Sequence, residues 1–182
     1  MRQSHPINLW LSMGWIKEPR LTCPRGHSSL YRMSLRDLLS PTSIDLDLRG
    51  GTKREVLGEM VALLGLSPED CETITNLVLE REAVGSTGVG QGIAIPHCRS
   101  PVFDRVRLAF GRHMQGIAYD AIDGESVHSL FLIAAPPVEV SNLYLTVLAK
   151  VARFVREGDV PSHLAALTDP GELSALMEEK GV

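Results

Sequence analysis

Aromatic residues are scarce, at 5% of the 182 positions, and basic charge has no excess, with 18 Lys and Arg set against 22 Asp and Glu. Both shortages argue against nucleic acid. Nothing would attract a phosphate backbone, and few rings are available to stack on bases. Cysteine is also sparse. Cys23, Cys71 and Cys98 form no paired spacing and no C-x-x-C, which excludes a disulfide framework and points to a reducing, cytoplasmic setting. Cys23 and His27 are two ligands without a second pair, so no zinc site is read there. No apolar run is long enough to span a bilayer, and the longest, Leu130 to Pro137, reads as a buried strand. A signal peptide is missing as well. Leu9-Trp10-Leu11 is too short, basic residues follow it, and no small-residue cleavage site is present. There is no internal repeat.

What is present is ordinary globular composition, 44% apolar, in a chain long enough for one domain and an appendage. Residues 1–32 hold both tryptophans and show neither helical nor strand periodicity. They read as a poorly ordered extension or as a stretch ahead of a true start at Met33, with a small docking segment as the rival reading. Residues 33–182 read as the domain. Ile44 to Leu48 alternates like a strand with one wet face. Thr52 and Glu55 form a capping box, and Ser67-Pro68-Glu69 opens a second helix that runs to about Ala83. Val106 to Phe110 and Ser129 to Ala135 are predicted strands with a turn at Asp123-Gly124 between them. Helical spacing then covers Leu143 to Val155, Ser162 to Leu167 and Asp169 to Glu179. Interleaved helices and strands place the chain in the α/β class with a mostly buried sheet.

The chemistry concentrates between Arg81 and Arg99. Gly85 to Gly92 is a loop with four glycines, followed by the apolar run Ile93-Ala94-Ile95 and then Pro96-His97. Such a loop can approach a ligand closely and present N–H groups to an anion. Its spacing matches neither the P-loop nor the dinucleotide pattern, which disfavours nucleotide binding. The remaining kit is an imidazole after a strand, Arg81 at the end of the preceding helix, and a donor-rich loop. A neutral imidazole is a nucleophile near pH 7. A phosphoryl group on it would carry about two negative charges, which a guanidinium binds well. Phosphoryl transfer asks mainly for positioning and electrostatics. The bland alternatives are a surface histidine, a helix-end arginine and a plain turn.

The run STGVGQGIAIPH, with RE before it and Arg99 after it, resembles the phosphorylation-site signature of type-2 enzyme IIA domains of the bacterial phosphotransferase system, the fructose/mannitol/nitrogen-regulatory branch. YDAIDGESVHSLFLIAAPP and LTVLAKVARFV resemble later blocks of that family, and the similarity spans about Met33 to Lys180. The resemblance implies one α/β domain with a mixed, mostly parallel sheet flanked by helices on both faces. It implies a phosphohistidine carrier that needs no cofactor and no metal. His97 would take phosphate from the small carrier protein HPr or its nitrogen-branch relative and pass it to a IIB component. Arg81 would lie near that phosphate. Ser86 and Thr87 would line the site, with hydroxyls directed either at phosphate and His97 or at the loop itself. The attacking nitrogen would be Nε2, with Nδ1 protonated and donating to a backbone carbonyl.

One departure from the family pattern stands out. Tyr144 occupies the position where the family usually has a second histidine. A phenol can donate to phosphate but supplies no cationic imidazole near pH 7. That change, with no IIB or membrane IIC segment fused to this sequence, opens an alternative: a stand-alone regulatory protein whose phosphorylation state controls binding to other proteins. His113 and His128 are further histidines of possible function, and Cys98 reads as a tolerated small side chain. A shallow apolar surface is expected around His97 to receive a partner.

Overall fold

The computed structural model describes residues 33–138 and 143–182. Residues 1–32, including Cys23 and His27, lie outside the described residues, and so does most of the loop after Val138.

Helix starts follow the capping signals. Helix α1, Lys53–Ala62, begins where Thr52 Oγ1 accepts from Glu55 N at 3.2 Å and Glu55 Oε2 accepts from Thr52 N at 3.0 Å. Helix α2, Pro68–Val84, begins where Ser67 Oγ accepts from Asp70 N at 3.1 Å, with a proline in the first turn. The remaining helices are α3, Leu143–Phe154; α4, Val160–Ala166; and α5, Pro170–Glu179, which Asp169 caps.

Among the described residues, six strands form one sheet: β1, Ile44–Asp45; β2, Gly88–Gly90; β3, Ile93–Ala94; β4, His97–Arg99; β5, Arg107–Ile117; and β6, Val127–Ala135. Strand β6 is the centre. It pairs antiparallel with β5 on one side and parallel with β3 and then β4 on the other. β1 joins β5 in parallel, and β2 closes on β3 antiparallel. The sheet is mixed, with three of its five pairings parallel and the longest, β5 with β6, antiparallel.

Side-chain alternation along β6 explains why helices cover both faces. Phe131, Ile133 and Ala135 enter one core, with Phe154, Val147 and Val151 of α3, Leu164 of α4 and Leu173 of α5. Leu130, Leu132 and Ala134 enter the other, with Val56, Leu57 and Met60 of α1 and Ile74 and Val78 of α2. From Leu130 to Ala135 the strand is buried on both faces and uniformly apolar, which is how that run reads in the sequence.

Three elements differ from the sequence expectation. The strand expected over Ile44 to Leu48 is only Ile44–Asp45, because Asp45 Oδ1 accepts from Asp47 N at 2.8 Å and turns the chain off the ladder. The strand expected to end at Phe110 continues to Ile117, through an irregularity in which Arg112 pairs with Ser129 and Ile117 with Val127. The glycine-rich segment is not only loop, since it contains β2.

Candidate functional site

Pro96 makes the site possible. β3 and β4 follow one another along the same edge of β6, and Pro96, which has no N–H, separates them. Ile95 N still donates to Thr87 O at 3.0 Å, and Pro96 O accepts from Ile133 N at 3.0 Å. Between these bonds the Ile95 carbonyl lies 2.9 Å from His97 Nδ1. From the other side, Arg81 in the last turn of α2 brings its Nε to 2.9 Å from His97 Nε2, while its Nη1 donates to Gly85 O at 3.0 Å.

These partners fix the tautomer. A carbonyl only accepts, so Nδ1 carries the proton; a guanidinium N–H only donates, so Nε2 presents its lone pair. Burial holds the imidazole below its ordinary pKa. The Ile95 carbonyl and Glu82 oppose that shift, and the Arg81 charge adds to it. His97 is therefore neutral at pH 7, with its unprotonated nitrogen at Nε2.

A shallow pocket of about 240 Å³ opens over this nitrogen, lined by Leu77, Arg81, His97, Cys98, Arg99 and Tyr144. Tyr144, near the start of α3, is buried, and its ring centroid is 5.9 Å from that of His97 at 60°. Arg99 lays its guanidinium carbon 4.1 Å from the Tyr144 centroid and donates from Nη1 to Pro136 O at 3.1 Å. Apolar side chains are exposed on the bordering elements: Val84, one turn beyond Arg81, Leu145, next to Tyr144, and Val138.

Arg81, His97 and Tyr144 thus come together; Ser86 and Thr87 do not join them. Thr87 is buried, its Oγ1 2.5 Å from Glu82 Oε2 and its N–H donating to the same carboxylate at 3.1 Å. Ser86 Oγ donates to Tyr119 O at 3.1 Å and accepts from Gly88 N at 3.1 Å. Gln91 N goes to Asp123 Oδ2. The amides of residues 87, 88 and 91 are therefore engaged within the protein rather than presented to an anion. Gly88 serves a close approach instead, since a Cβ there would lie 2.7 Å from Ala121 Cα.

Sequence reasoning missed Glu82 and gave Arg99 no role. Glu82 is a buried carboxylate that binds Thr87 and takes Lys53 Nζ at 3.4 Å; Lys53 also reaches Tyr119 O at 2.6 Å. Through Thr87 O and Ile95 N this cluster holds the strand that offers the Ile95 carbonyl to His97. An acid in a helix's last turn normally reads as solvated, so no signal marked it. Arg99 had one: two residues from His97 on a strand, it shares that residue's face.

Residues 37–180 match the family described as phosphoenolpyruvate-dependent sugar phosphotransferase system, EIIA 2. The chain belongs to this family. A nitrogen regulatory protein of Bradyrhizobium diazoefficiens is 32% identical over 138 residues, covering 75% of this chain and 90% of that protein. The fructose-specific EIIABC component of Bacillus subtilis is 31% identical over 134 residues, or 72% of this chain; the match spans about a fifth of that longer protein, 21%. The crystal structure of nitrogen regulatory protein IIA-Ntr from Neisseria meningitidis superposes with a TM-score of 0.71 at 30% identity, covering 78% of this chain and 97% of that one.

Elsewhere this EIIA domain offers less to chemistry. His113 is buried in β5, and His128 sits in β6 with Nδ1 3.2 Å from His113 O; neither lines the His97 pocket. Burial pushes the Cys98 thiol up to about 12, so it holds its proton and is a poor redox nucleophile. Among the described residues, no group of three or more His, Cys, Asp or Glu is placed to hold a metal, and no helix is long and apolar enough to cross a membrane.

Proposed function

We propose that this EIIA domain is a cytoplasmic phosphohistidine carrier, with His97 Nε2 as the phosphoacceptor. The observation that carries the reading is the orientation of one imidazole: Nδ1–H is directed to Ile95 O, and the Nε2 lone pair faces Arg81 at the mouth of a pocket. The donor is a phosphohistidine of HPr or its nitrogen-branch relative. The Nε2 lone pair attacks phosphorus, the donor's N–P bond breaks, and its electron pair stays on the donor imidazole. Nδ1 keeps its proton throughout, donating it as a hydrogen bond to the Ile95 carbonyl. Arg81 meets the charge of the transferred group with hydrogen bonds to its oxygens. The phosphoryl group then passes to a IIB component. Ser86 and Thr87 support the loop, and Tyr144 walls the pocket.

The regulatory reading has its own support. The pocket beside His97 is lined by a phenol, Tyr144, which supplies no second cationic imidazole for onward transfer. In that reading His97 carries the same phosphate, and the partner is a regulated protein in place of IIB.

The test is incubation with phosphoenolpyruvate, enzyme I and HPr. One acid-labile, base-stable phosphate per chain is expected, and it disappears in His97→Ala; label that persists in that variant overturns the assignment. Tyr144→His is expected to change the transfer rate, and an unchanged rate removes Tyr144 from the pocket's function. Onward transfer to a purified IIB domain, against phosphorylation without any onward transfer, separates relay from regulation.

A further inference from the structure

We infer that Glu82 is a positioning residue for His97: with its neighbour Arg81 it closes a circuit of hydrogen bonds that holds the imidazole in one tautomer and one orientation. The inference rests on the reading of His97 as the phosphoacceptor and adds to it the group that aims the imidazole.

The circuit can be followed atom by atom. Arg81 Nε donates to His97 Nε2 at 2.9 Å, and His97 Nδ1 donates to the Ile95 carbonyl at 2.9 Å. Ile95 N–H donates to the Thr87 carbonyl at 3.0 Å. Thr87 N–H lies 3.1 Å from both carboxylate oxygens of Glu82, and Thr87 Oγ1 donates to Oε2 at 2.5 Å. Arg81 and Glu82 are consecutive in the last turn of α2, so the path returns to where it began. One dipeptide thus grips both imidazole nitrogens, Arg81 directly and Glu82 through Thr87 and Ile95.

Pro96 is the reason that the second grip is needed. The Ile95 carbonyl belongs to the Ile95–Pro96 peptide, which has no N–H and cannot be pinned to the sheet by a donor of its own. Its neighbours set its plane: Ile95 N–H on Thr87 O, and Pro96 O on Ile133 N–H. The second of these anchors belongs to the central strand. The first depends on Thr87, which stands between the end of α2 and the start of β2 and takes both of its donors to Glu82.

Charge and burial make that hold firm. Glu82 is buried, and the donors around it are Thr87 N–H, Thr87 Oγ–H, Lys53 Nζ at 3.4 Å and Tyr119 OH at 3.5 Å. Hydrogen bonds to an ionised carboxylate are stronger than neutral ones, and a buried carboxylate that loses them is destabilised. The tautomer matters to transfer because the alternative form has a proton on Nε2 and no lone pair there to attack phosphorus.

Two rival roles for Glu82 are packing and a through-space charge on His97. Substitution of Thr87 separates them, because the Glu82 charge stays in place. Valine keeps the shape of threonine without the hydroxyl, and serine keeps the hydroxyl without the methyl group. Packing predicts that Thr87→Val is the milder change, the circuit predicts that Thr87→Ser is, and a charge role predicts that both match the wild type.

The unphosphorylated full chain, labelled with 15N in histidine, is read by NMR at pH 8 for the tautomer of His97. The rate of phosphorylation by phosphoramidate, a small donor with no docking surface, is followed by 31P NMR. Wild type and Thr87→Ser are expected to show the Nδ1–H tautomer alone. Thr87→Val and Glu82→Gln are expected to add an Nε2–H population and to slow phosphorylation about fivefold, as the loss of one hydrogen bond would. The inference is overturned if Thr87→Val or folded Glu82→Gln retains the Nδ1–H tautomer alone, if Thr87→Ser loses as much as Thr87→Val, or if the tautomers mix without slowing the reaction. Thermal melts accompany each variant, and the Thr87 comparison decides the matter even if Glu82→Gln does not fold. A wild-type chain that takes no phosphate on His97 instead refutes the phosphoacceptor reading, and the tautomer comparison then still tests whether Glu82 aims the imidazole.

Discussion

A histidine lies near each end of the central strand β6, one within it and one on the neighbouring strand β4, and the two make an instructive pair. His128 is the second residue of β6; His97 lies beside Ile133 near the other end. Both rings are half-buried, and both place Nδ1 against a backbone carbonyl, at 3.2 Å for His128 and 2.9 Å for His97. The difference lies at Nε2. That of His97 meets a guanidinium in an open pocket, whereas the His128 ring packs against glycine, close enough that a Cβ on Gly116 would lie 2.7 Å from its Nε2. Anchoring one nitrogen is thus a common structural device. Function depends on what the other nitrogen meets.

The largest expected effect breaks this comparison outright. Peptide mapping after phosphorylation should place all label on His97. His97→Ala should lose it entirely, and His128→Ala should keep it. Label on His128 would show that an anchored Nδ1 is sufficient and that the guanidinium at Nε2 is dispensable.

Next in size are effects on stability, one at each end. Glu82→Ala removes the acceptor for Thr87 N–H and Oγ–H and leaves Lys53 without its buried partner. A loss of about 3 kcal/mol is expected in urea unfolding. Because Thr87 O holds Ile95 N, the His97 end should also loosen, with faster amide exchange at Ile95. Gly116→Ala acts at the other end. Its φ of +72° and the crowding against His128 predict a loss of about 1–2 kcal/mol, with phosphorylation of His97 retained. Equal losses of phosphorylation in both variants would mean that the two ends are not independent.

Much of this arrangement was legible in the sequence. Helix caps and the apolar run of β6 specify local structure, so α1, α2 and the central strand were readable. His97 and Arg81 were readable because a long motif surrounds them. What was hidden depends on contacts distant in sequence. Glu82 is buried only because Thr87, Tyr119 and Lys53 converge on it, and nothing in the helix pattern marks it. The glycine-rich segment reads as an anion cradle until Asp123, Glu82 and Ser86 are seen to accept its N–H groups. Tyr144 was readable as a missing histidine but not as a platform, because its stack with Arg99 joins α3 to β4 across 45 residues.

The smallest effect concerns the proton on His97. Burial, the main cause, and the nearby Arg81 charge lower its pKa in the folded state, so the unfolded chain binds a proton there more readily. The sign follows. The contribution of neutral His97 to stability is present above the unfolded midpoint of about 6.5 and is lost as pH falls through the lower, folded midpoint. NMR titration of the imidazole Cε1–H should therefore give a midpoint below 6.5. Arg81→Gln should raise it only part of the way, because burial persists. A His97 midpoint at or above 6.5, or one that falls in Arg81→Gln, would contradict the geometry at Nε2. A midpoint below 6.5 has a functional consequence as well: the lone pair proposed to attack phosphorus is free of its proton at neutral pH, and the barrier left to overcome there is the approach of an anion, which the Arg81 guanidinium favours.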